Sequence, residues 1–127
     1  MNGVVGDKVM YSTVDDLYKF CLAIQYNLFL PDSIQREAFI PGSPQWKKGE
    51  NYGFGWRMSE KHPGILFHFG WWKGYRSYFI RDPERSAVLI VLTNTDSSLC
   101  GESIWEFVND TTVQIPSSSI NKGLAFD

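Results

Sequence analysis

The stretch ILFHFGWWKGYRSYFIRDPERSAVLIVLT, residues 65–93, decides the fold. It contains three runs rich in apolar and aromatic residues, each predicting a strand: 65–69, 75–81 and 86–93. Gly70 and Gly74 bracket a tight connection after the first run, and Asp82-Pro83 starts a turn after the second. The run from Ala87 to Leu92 is apolar on both faces, which is typical of a central strand with neighbours on each side. The stretch therefore predicts an antiparallel meander.

Two helices are predicted upstream of this stretch. Ser12 at the N-cap, with Asp15 three residues later, is a capping-box pattern. The apolar residues that follow recur at helical spacing: Val14, Leu17, Cys21, Ile24 and Leu28. A second, shorter helix is predicted from Pro31 to Phe39, because proline is favourable at a helix start.

Between the second helix and residue 65 the period of the sequence changes from helical to two. Tyr52 to Met58 alternates and predicts a strand, with Gly53 and Gly55 on one side. Glycine at such positions indicates either the close approach of another backbone or a bulge. Pro63-Gly64 predicts a turn.

Downstream of the meander, residues 96–98 can cap a final helix that turns Ile104, Phe107 and Val108 inward. Helices followed by a meander and a helix give an α+β fold. We assign residues 1–110 to one domain and residues 111–127 to a tail. Within that tail, 111–115 fits a strand and 117–119 fits a linker.

Composition excludes several classes of protein. The chain has 127 residues, of which 43% are hydrophobic and 20% charged, as in globular proteins. Its formal net charge is −2, which argues against a nucleic-acid binder that works by neutralising phosphates. The longest apolar run, residues 87–92, is too short to span a membrane. Residues 1–7 show no signal-peptide pattern, and two cysteines make no disulfide framework.

No cofactor is predicted. His62 and His68 are the two histidines, and no helix presents them at the i, i+4 spacing of a zinc site. Tyr52-Gly53-Phe54-Gly55 lacks the third glycine and the helix start that a phosphate loop requires.

The segment from His68 to Arg76 carries the most specific chemistry. A titratable side chain ends a strand, and Gly70 two residues later permits a ligand to approach the backbone closely. The N–H of Trp71 would then lie at the strand edge, where an oxyanion donor could sit. The residues alone leave a second interpretation open, in which His68 is a structural histidine and the tryptophans are core or surface aromatics.

Five motifs follow one another over roughly residues 3–108: Gly6-Asp7 with Met10 to Leu17, Tyr52-Gly53-Phe54-Gly55-Trp56, His68-Phe69-Gly70, Asp82-Pro83-Glu84-Arg85 and Val88 to Asn94. In this order they resemble the β-lactamase-related serine hydrolases, the superfamily of class C β-lactamases and penicillin-binding proteins. The resemblance implies that the chain is the C-terminal portion of such a hydrolase, with a partial β-lactamase/transpeptidase-like fold.

This family builds its site from Ser-x-x-Lys, Tyr-x-Asn and a third motif on a strand, Lys-Thr-Gly or His-x-Gly. His68-Phe69-Gly70 is similar to the third motif. By resemblance, His68 would join the proton network, Gly70 would let substrate lie along the strand, and the Trp71 N–H would be half of the oxyanion hole. The resemblance implies substrate contacts for Phe69, Trp72 and Arg76. Phe69 lacks the usual hydroxyl, which favours an ester or amide other than a β-lactam.

The other two motifs are missing from their expected places. No Tyr-x-Asn occurs, and the one Ser-x-x-Lys, Ser119 to Lys122, follows the last predicted helix instead of preceding the third motif. A serine without a base is a poor nucleophile. We therefore expect the chain to be inactive alone and to need the N-terminal half of a parent hydrolase. That parent would act on peptidoglycan peptide, β-lactam or a small ester in the periplasm or cell envelope.

Two further expectations concern binding. In the resembled fold, N-terminal strands cover the outer edge of the strand at residues 87–92, so a chain without them is expected to form a homodimer through this edge, by pairing of the same strand or by exchange of residues 111–115. The alternative is a monomer in which the tail folds back and covers this edge. The alternative to a hydrolase is a non-catalytic module that binds sugar or peptide on an aromatic platform of Trp56, Trp71, Trp72 and Tyr75.

Overall fold

A computed structural model describes residues 10–43, 49–95 and 104–106 of the chain. Its elements are α1 (Val14–Gln25), α2 (Asp32–Ala38), β1 (Glu50–Tyr52), β2 (Arg57–Ser59), β3 (His62–Trp72), β4 (Tyr75–Asp82) and β5 (Ala87–Thr93). The five strands form one sheet in the order β1-β2-β3-β4-β5, and every neighbouring pair is antiparallel. The predicted α+β class and the antiparallel meander are confirmed.

Helix α1 begins one residue later than the capping prediction placed it. Thr13, not Ser12, is the N-cap, and its hydroxyl accepts a hydrogen bond of 3.1 Å from the backbone N–H of Asp16. The acid three residues after the cap is therefore Asp16 rather than Asp15. Because Asp15 and Asp16 both lie in the first turn, they interact favourably with the positive end of the helix dipole.

The sheet lies between two helical layers. On one face, which we call the α1 face, Leu66, Phe79 and Val88 pack against α1 and the residues around it. The opposite face packs against the helical residues 104–106 through Ile104, which is buried. The strand residues on that face are Ile65, Phe67, Phe69, Tyr78, Ile80, Leu89 and Val91. Ile104 is therefore inward as predicted, whereas Phe107 and Val108 lie outside the described residues.

The stretch from Tyr52 to Met58 is not one strand, as its alternation predicted, but a hairpin. β1 and β2 pair with each other, Tyr52 opposite Arg57, and residues 53–56 make the loop between them. Gly53 permits the close backbone approach that its position indicated. A Cβ built on Gly53 would overlap the carbonyl oxygen of Ala38, the last residue of α2. The hairpin loop is thereby held directly against the end of α2.

β3 is longer than predicted at both ends. Pro63-Gly64 lies inside the strand, at a bulge where the pairing with β2 shifts between Met58 and Ser59. Trp71 and Trp72 also belong to β3, and the turn to β4 consists of Lys73 and Gly74 alone, with φ of 44° and 85°. Positive φ at both central residues is the signature of a type I′ hairpin turn. The long β3–β4 ladder is thus continuous from Leu66 to Trp72.

Arg81 is buried on the α1 face, with only 2% of its surface exposed. Its guanidinium lies 5.7 Å from the centroid of the Phe39 ring and 5.6 Å from that of Trp56, so two cation–π contacts offset part of the cost of burial. Burial raises the pKa of the neighbouring Cys21 thiol, and the charge of Arg81 opposes that change. Cys21 is a free thiol.

β5 pairs with β4 and lies at the edge of the described sheet, although its apolar pattern predicted a central strand. Residues 1–9 and the tail from 107 onward, including the predicted domain boundary at 110, lie outside the described residues.

The homodimer through β5 therefore stays a prediction. We expect a dimeric mass by light scattering at tens of micromolar protein. A folded dimer that survives Ile90→Pro would contradict this interface, because proline removes a ladder donor.

Candidate active site

His68 is the first residue of β3 beyond its pairing with β2, which ends where Arg57 faces Phe67. Its side chain is exposed, although the strand residues just before it are buried. The imidazole Nε2 lies 2.7 Å from the hydroxyl oxygen of Tyr52 on β1, a hydrogen bond between two side chains. The two rings meet edge to face, with centroids 6.1 Å apart at 88°. Tyr52 and His68 therefore form a polar pair at this point of the sheet.

The backbone of Tyr52 is held on both sides. Its N–H donates to the side-chain oxygen of Asn51 at 2.7 Å, and its carbonyl accepts from the N–H of Gly42 at 3.0 Å. The next residue, Gly53, is the one packed against Ala38. These contacts hold the backbone from which the phenol projects, as a preorganised site requires.

The environment of His68 favours the neutral imidazole. Although His68 is exposed overall, the protein packed around its ring removes part of the ring's hydration and lowers the pKa of His68 below its usual value; the positive charge of Arg57 lowers this pKa further. A hydrogen bond between the ring and the backbone of Phe69 acts in the opposite direction. His68 is therefore uncharged at neutral pH and available as a proton acceptor.

We expect Arg57→Gln to raise the pKa of His68, because the substitution removes a nearby positive charge. Titration of the imidazole by NMR measures this directly, and the signals of His68 and His62 are assigned from His68→Ala. Arg85→Gln is the control, because it also removes one positive charge, but in the β4–β5 turn. An unchanged pKa in Arg57→Gln would exclude Arg57 as a determinant of the protonation of His68.

The lowered pKa of His68 also predicts how stability depends on pH. The unfolded chain, with a histidine pKa of about 6.5, binds the proton more readily than the folded chain. The free energy of unfolding should therefore fall as the pH drops below about 6.5, toward the lower pKa of the folded state. His68→Gln should lose this part of the pH dependence, which urea titrations at a series of pH values measure.

Gly70 lies next to His68 on the α1 face and directly opposite Ser77 on β4. A Cβ built on Gly70 would overlap the hydroxyl oxygen of Ser77, whereas the Cβ of Ser77 is at an ordinary 3.8 Å. Glycine at this position thus has a structural reason in addition to the predicted contact with substrate.

The two reasons for Gly70 can be separated. Gly70→Ala should lower the free energy of unfolding by about 1–2 kcal/mol through overpacking, as measured in urea. Gly70→Ala combined with Ser77→Ala should recover most of that loss, because the overlapping hydroxyl is removed. No recovery in the double variant would show that Ser77 is not the obstacle.

The remaining predicted site residues fall on two faces of the sheet. Trp72 follows His68 and Gly70 on the α1 face, by the alternation of β3. The side chain of Phe69 is on the opposite face and packs against Phe67, Tyr78 and Trp105. Arg76 is on that face too, with its guanidinium 5.3 Å from the centroid of the Trp71 ring. The structure therefore does not bring Phe69 and Arg76 together with His68.

The role predicted for Trp71 concerns its backbone, not its ring. The two-residue turn makes Trp72 and Tyr75 the hydrogen-bonded pair that closes the hairpin, so Trp71 and Arg76 form the next, non-hydrogen-bonded pair. The N–H of Trp71 consequently points away from β4, toward the side of β3 on which β2 lies. This is the same side on which His68 meets Tyr52.

The four aromatics of the alternative platform do not share a surface. Trp56 is buried, with 9% exposed, and packs in the core beside Phe39. Trp71 is 67% exposed but lies on the opposite face from Trp72 and Tyr75. The predicted aromatic platform is wrong as a single surface, because alternation along β3 separates the two adjacent tryptophans.

Sequence reasoning missed Tyr52 and Arg57 as members of the site. Their roles depend on the β1–β2–β3 register, which places both residues beside the end of the β2–β3 pairing. One signal in the sequence points to Tyr52, which directly precedes Gly53, a glycine that indicates the close approach of another backbone.

Within the described residues, no group of three histidine, cysteine, aspartate or glutamate side chains could hold a metal ion. In the same part of the chain, no helix has the length and hydropathy needed to cross a membrane.

The comparisons with known proteins agree with the class that the fold and motifs indicate. Residues 2–112 match the family model described as Beta-lactamase. The chain therefore belongs to the β-lactamase family. It is also similar to penicillin-binding protein 4* of Bacillus subtilis (strain 168), with 31% identity over 98 residues. That match covers 76% of this chain and 22% of the relative, so the chain spans about a fifth of the length of the relative. No solved structure matches significantly.

Proposed function

We propose that this chain is the C-terminal part of a serine hydrolase of the β-lactamase family and forms the third-motif wall of its active site. His68 on β3 would enter the proton network, Gly70 would leave room for substrate along the strand, and the N–H of Trp71 would donate to an oxyanion. The observation that carries the proposal is the hydrogen bond of 2.7 Å between His68 and Tyr52, at the point where β2 stops covering β3.

The substrate class follows from the groups available at this wall. Phe69 is directed into the core on the opposite face, so the second position of the motif offers no hydroxyl to a substrate carboxylate. This favours an ester or an amide without that carboxylate over a β-lactam. Peptidoglycan peptide and β-lactam are the competing substrates within the same class of reaction, acyl transfer to serine.

The chain is proposed to be inactive alone. The sequence contains no Tyr-x-Asn, and its one Ser-x-x-Lys follows the third motif. Incubation with a chromogenic β-lactam, p-nitrophenyl acetate and a fluorescent penicillin should give no turnover and no covalent adduct by intact mass. An adduct at Ser119 would overturn this expectation.

The positive test restores the rest of the enzyme. The DNA preceding the Met1 codon is sequenced, and any continuous reading frame is expressed together with this chain. We expect that frame to encode Ser-x-x-Lys followed by Tyr-x-Asn and to yield esterase or peptidase activity. A frame without these motifs would contradict the proposal and leave the chain as a module without hydrolase chemistry.

A further inference from the structure

The end of the sheet beyond His68 carries large apolar side chains on the α1 face. Trp72 faces Tyr75 across the two-residue turn. On β5, Leu92 lies opposite Ser77, the second residue after Tyr75, and so shares their face. Trp72 is 42% exposed, Tyr75 63% and Leu92 37%. We call these three residues the apolar rim. Exposed apolar groups gathered on one surface are typical of a binding site.

The rim borders the lowest part of this face. Gly70 and Ser77 face each other between two pairs of large side chains, and the Ser77 hydroxyl occupies the place that a Cβ on Gly70 would take. Side chains on one face of a strand recur every second residue, so His68 and Trp72 project from points about 13 Å apart. The low floor between them leaves space for one small, flat group.

The rim is positioned by the hairpin itself. The turn between Trp72 and Tyr75 consists of Lys73 and Gly74 alone, so both side chains project from a tight hairpin end. The Nζ of Lys73 lies 5.6 Å from the centroid of the Trp72 ring, a cation–π contact that restrains the indole. Helix α1 packs on the same face farther along the strand, where Phe79 lies, and leaves the rim exposed.

The proposed oxyanion donor determines which part of a substrate would reach the rim. The acyl carbon would lie beside the N–H of Trp71. The leaving group would lie toward the proton network that His68 enters, because this group takes up a proton as it departs. The rest of the acyl group then extends in the opposite direction, across the low floor and onto the rim.

We propose that the apolar rim is the acyl-group subsite and that the hydrolase selects esters and amides whose acyl group carries a flat, apolar substituent. The inference rests on the proposed function and deepens it, because it names the class of substrate. It assigns Trp72, Tyr75 and Leu92 to specificity and leaves the proton transfers to the rest of the site.

Two esters with the same leaving group test the rim in the restored hydrolase, which is this chain expressed together with its upstream reading frame. The esters are p-nitrophenyl acetate and p-nitrophenyl phenylacetate. Relative to the uncatalysed rates, kcat/KM should be about 10-fold or more higher for the phenylacetate, as expected for an apolar site. Tyr75→Ala and Trp72→Ala should each lower kcat/KM for the phenylacetate about 10-fold more than for the acetate.

The controls separate the ring from its hydroxyl and from folding. Tyr75→Phe keeps the ring and should keep the preference for the phenylacetate. Tyr11→Ala removes a tyrosine that is 89% exposed and lies before α1, and it should change neither ester's kcat/KM. The ratio of the two kcat/KM values, measured on one preparation, does not depend on how much of a variant is folded.

The possible results distinguish the subsite from the proposed function. If both esters are hydrolysed and the ratio is unchanged in Tyr75→Ala and Trp72→Ala, the subsite is overturned and the proposed function stands. If neither ester is hydrolysed, an acyl adduct with a fluorescent penicillin would overturn only the substrate class. The lack of any adduct would overturn the proposed function itself.

Discussion

Replacement of Gly53 by alanine is expected to lower the free energy of unfolding by about 3 kcal/mol, the upper part of the range for overpacking. The added methyl group would overlap the Ala38 carbonyl oxygen and lie 2.8 Å from the terminal methyl carbon of Met58. The carbonyl belongs to the backbone and already accepts a hydrogen bond of 3.0 Å from the N–H of Phe54. Relief of the overlap therefore requires the hairpin loop to move away from α2 and to break that bond.

The control for this substitution lies in the same loop. Gly55 has a φ of 78° and no heavy atom within 4 Å of a built Cβ. Gly55→Ala should therefore cost only the strain of a left-handed backbone, roughly 1–2 kcal/mol. Urea unfolding of both variants gives the comparison. Equal losses in Gly53→Ala and Gly55→Ala would mean that contact with Ala38 does not determine stability.

Gly53→Ala should also disturb the site, since Tyr52 is its neighbour in the chain. Movement of the loop would lengthen the bond between Tyr52 and His68 and change the His68 signals in the NMR spectrum. Gly55→Ala should leave those signals in place. The same contact would then stabilise the hairpin and position the phenol of Tyr52 against His68.

Local sequence patterns correctly predicted the elements whose buried residues recur at the spacing of a helix or strand. The helical spacing that includes Cys21 and Ile24 predicted α1, and the apolar and aromatic run from Tyr75 onward predicted β4. The first pattern reflects burial of one helix face, and the second reflects a strand covered on both faces of the sheet. The hydroxyl cap was found within one residue, because Ser12 and Thr13 both carry hydroxyls.

The errors arose where a long-range contact overrides the local pattern. The alternation of residues 52–58 resembles a strand, but the approach of Ala38 to Gly53 closes it into a hairpin. Proline and glycine at 63–64 indicated a turn, yet they occupy a bulge because β3 pairs with β2 on either side of them. Register across three strands, which no single segment encodes, brings Tyr52 to His68.

Burial of Arg81 shows a further limit of local reasoning. The alternation of β4 placed residue 81 on a face without indicating how deeply that face is covered. Its burial depends on Phe39, directly after α2, and on Trp56 in the hairpin loop, both of which are far from residue 81 in the sequence. A charged residue at the end of an apolar strand is more often solvent-exposed.

Removal of the His68 imidazole is expected to have the largest effect on activity. In the restored hydrolase, His68→Ala should lower kcat/KM about 10²-fold, the usual contribution of a positioned proton acceptor. That factor corresponds to about 2.7 kcal/mol of transition-state stabilisation. The loss should appear in kcat more than in KM, because the substitution removes a proton acceptor and leaves the substrate contacts proposed for Gly70 and Trp71 in place.

The matched control is the other histidine. His62 stacks on Trp105, with ring centroids 4.3 Å apart, and lies at the opposite end of β3. His62→Ala should leave kcat/KM close to that of the unaltered enzyme, even where it lowers stability.

The pH profile of the restored hydrolase adds a second criterion. As neutral His68 takes up a proton on acidification, kcat/KM should fall. The midpoint of this fall should lie below the usual histidine pKa of about 6.5, because the pKa of His68 is lowered. Arg57→Gln should move that midpoint upward, since the charge that disfavours the imidazolium is gone. A profile that stays the same in Arg57→Gln, together with equal activity of His68→Ala and His62→Ala, would make His68 a structural residue of the strand.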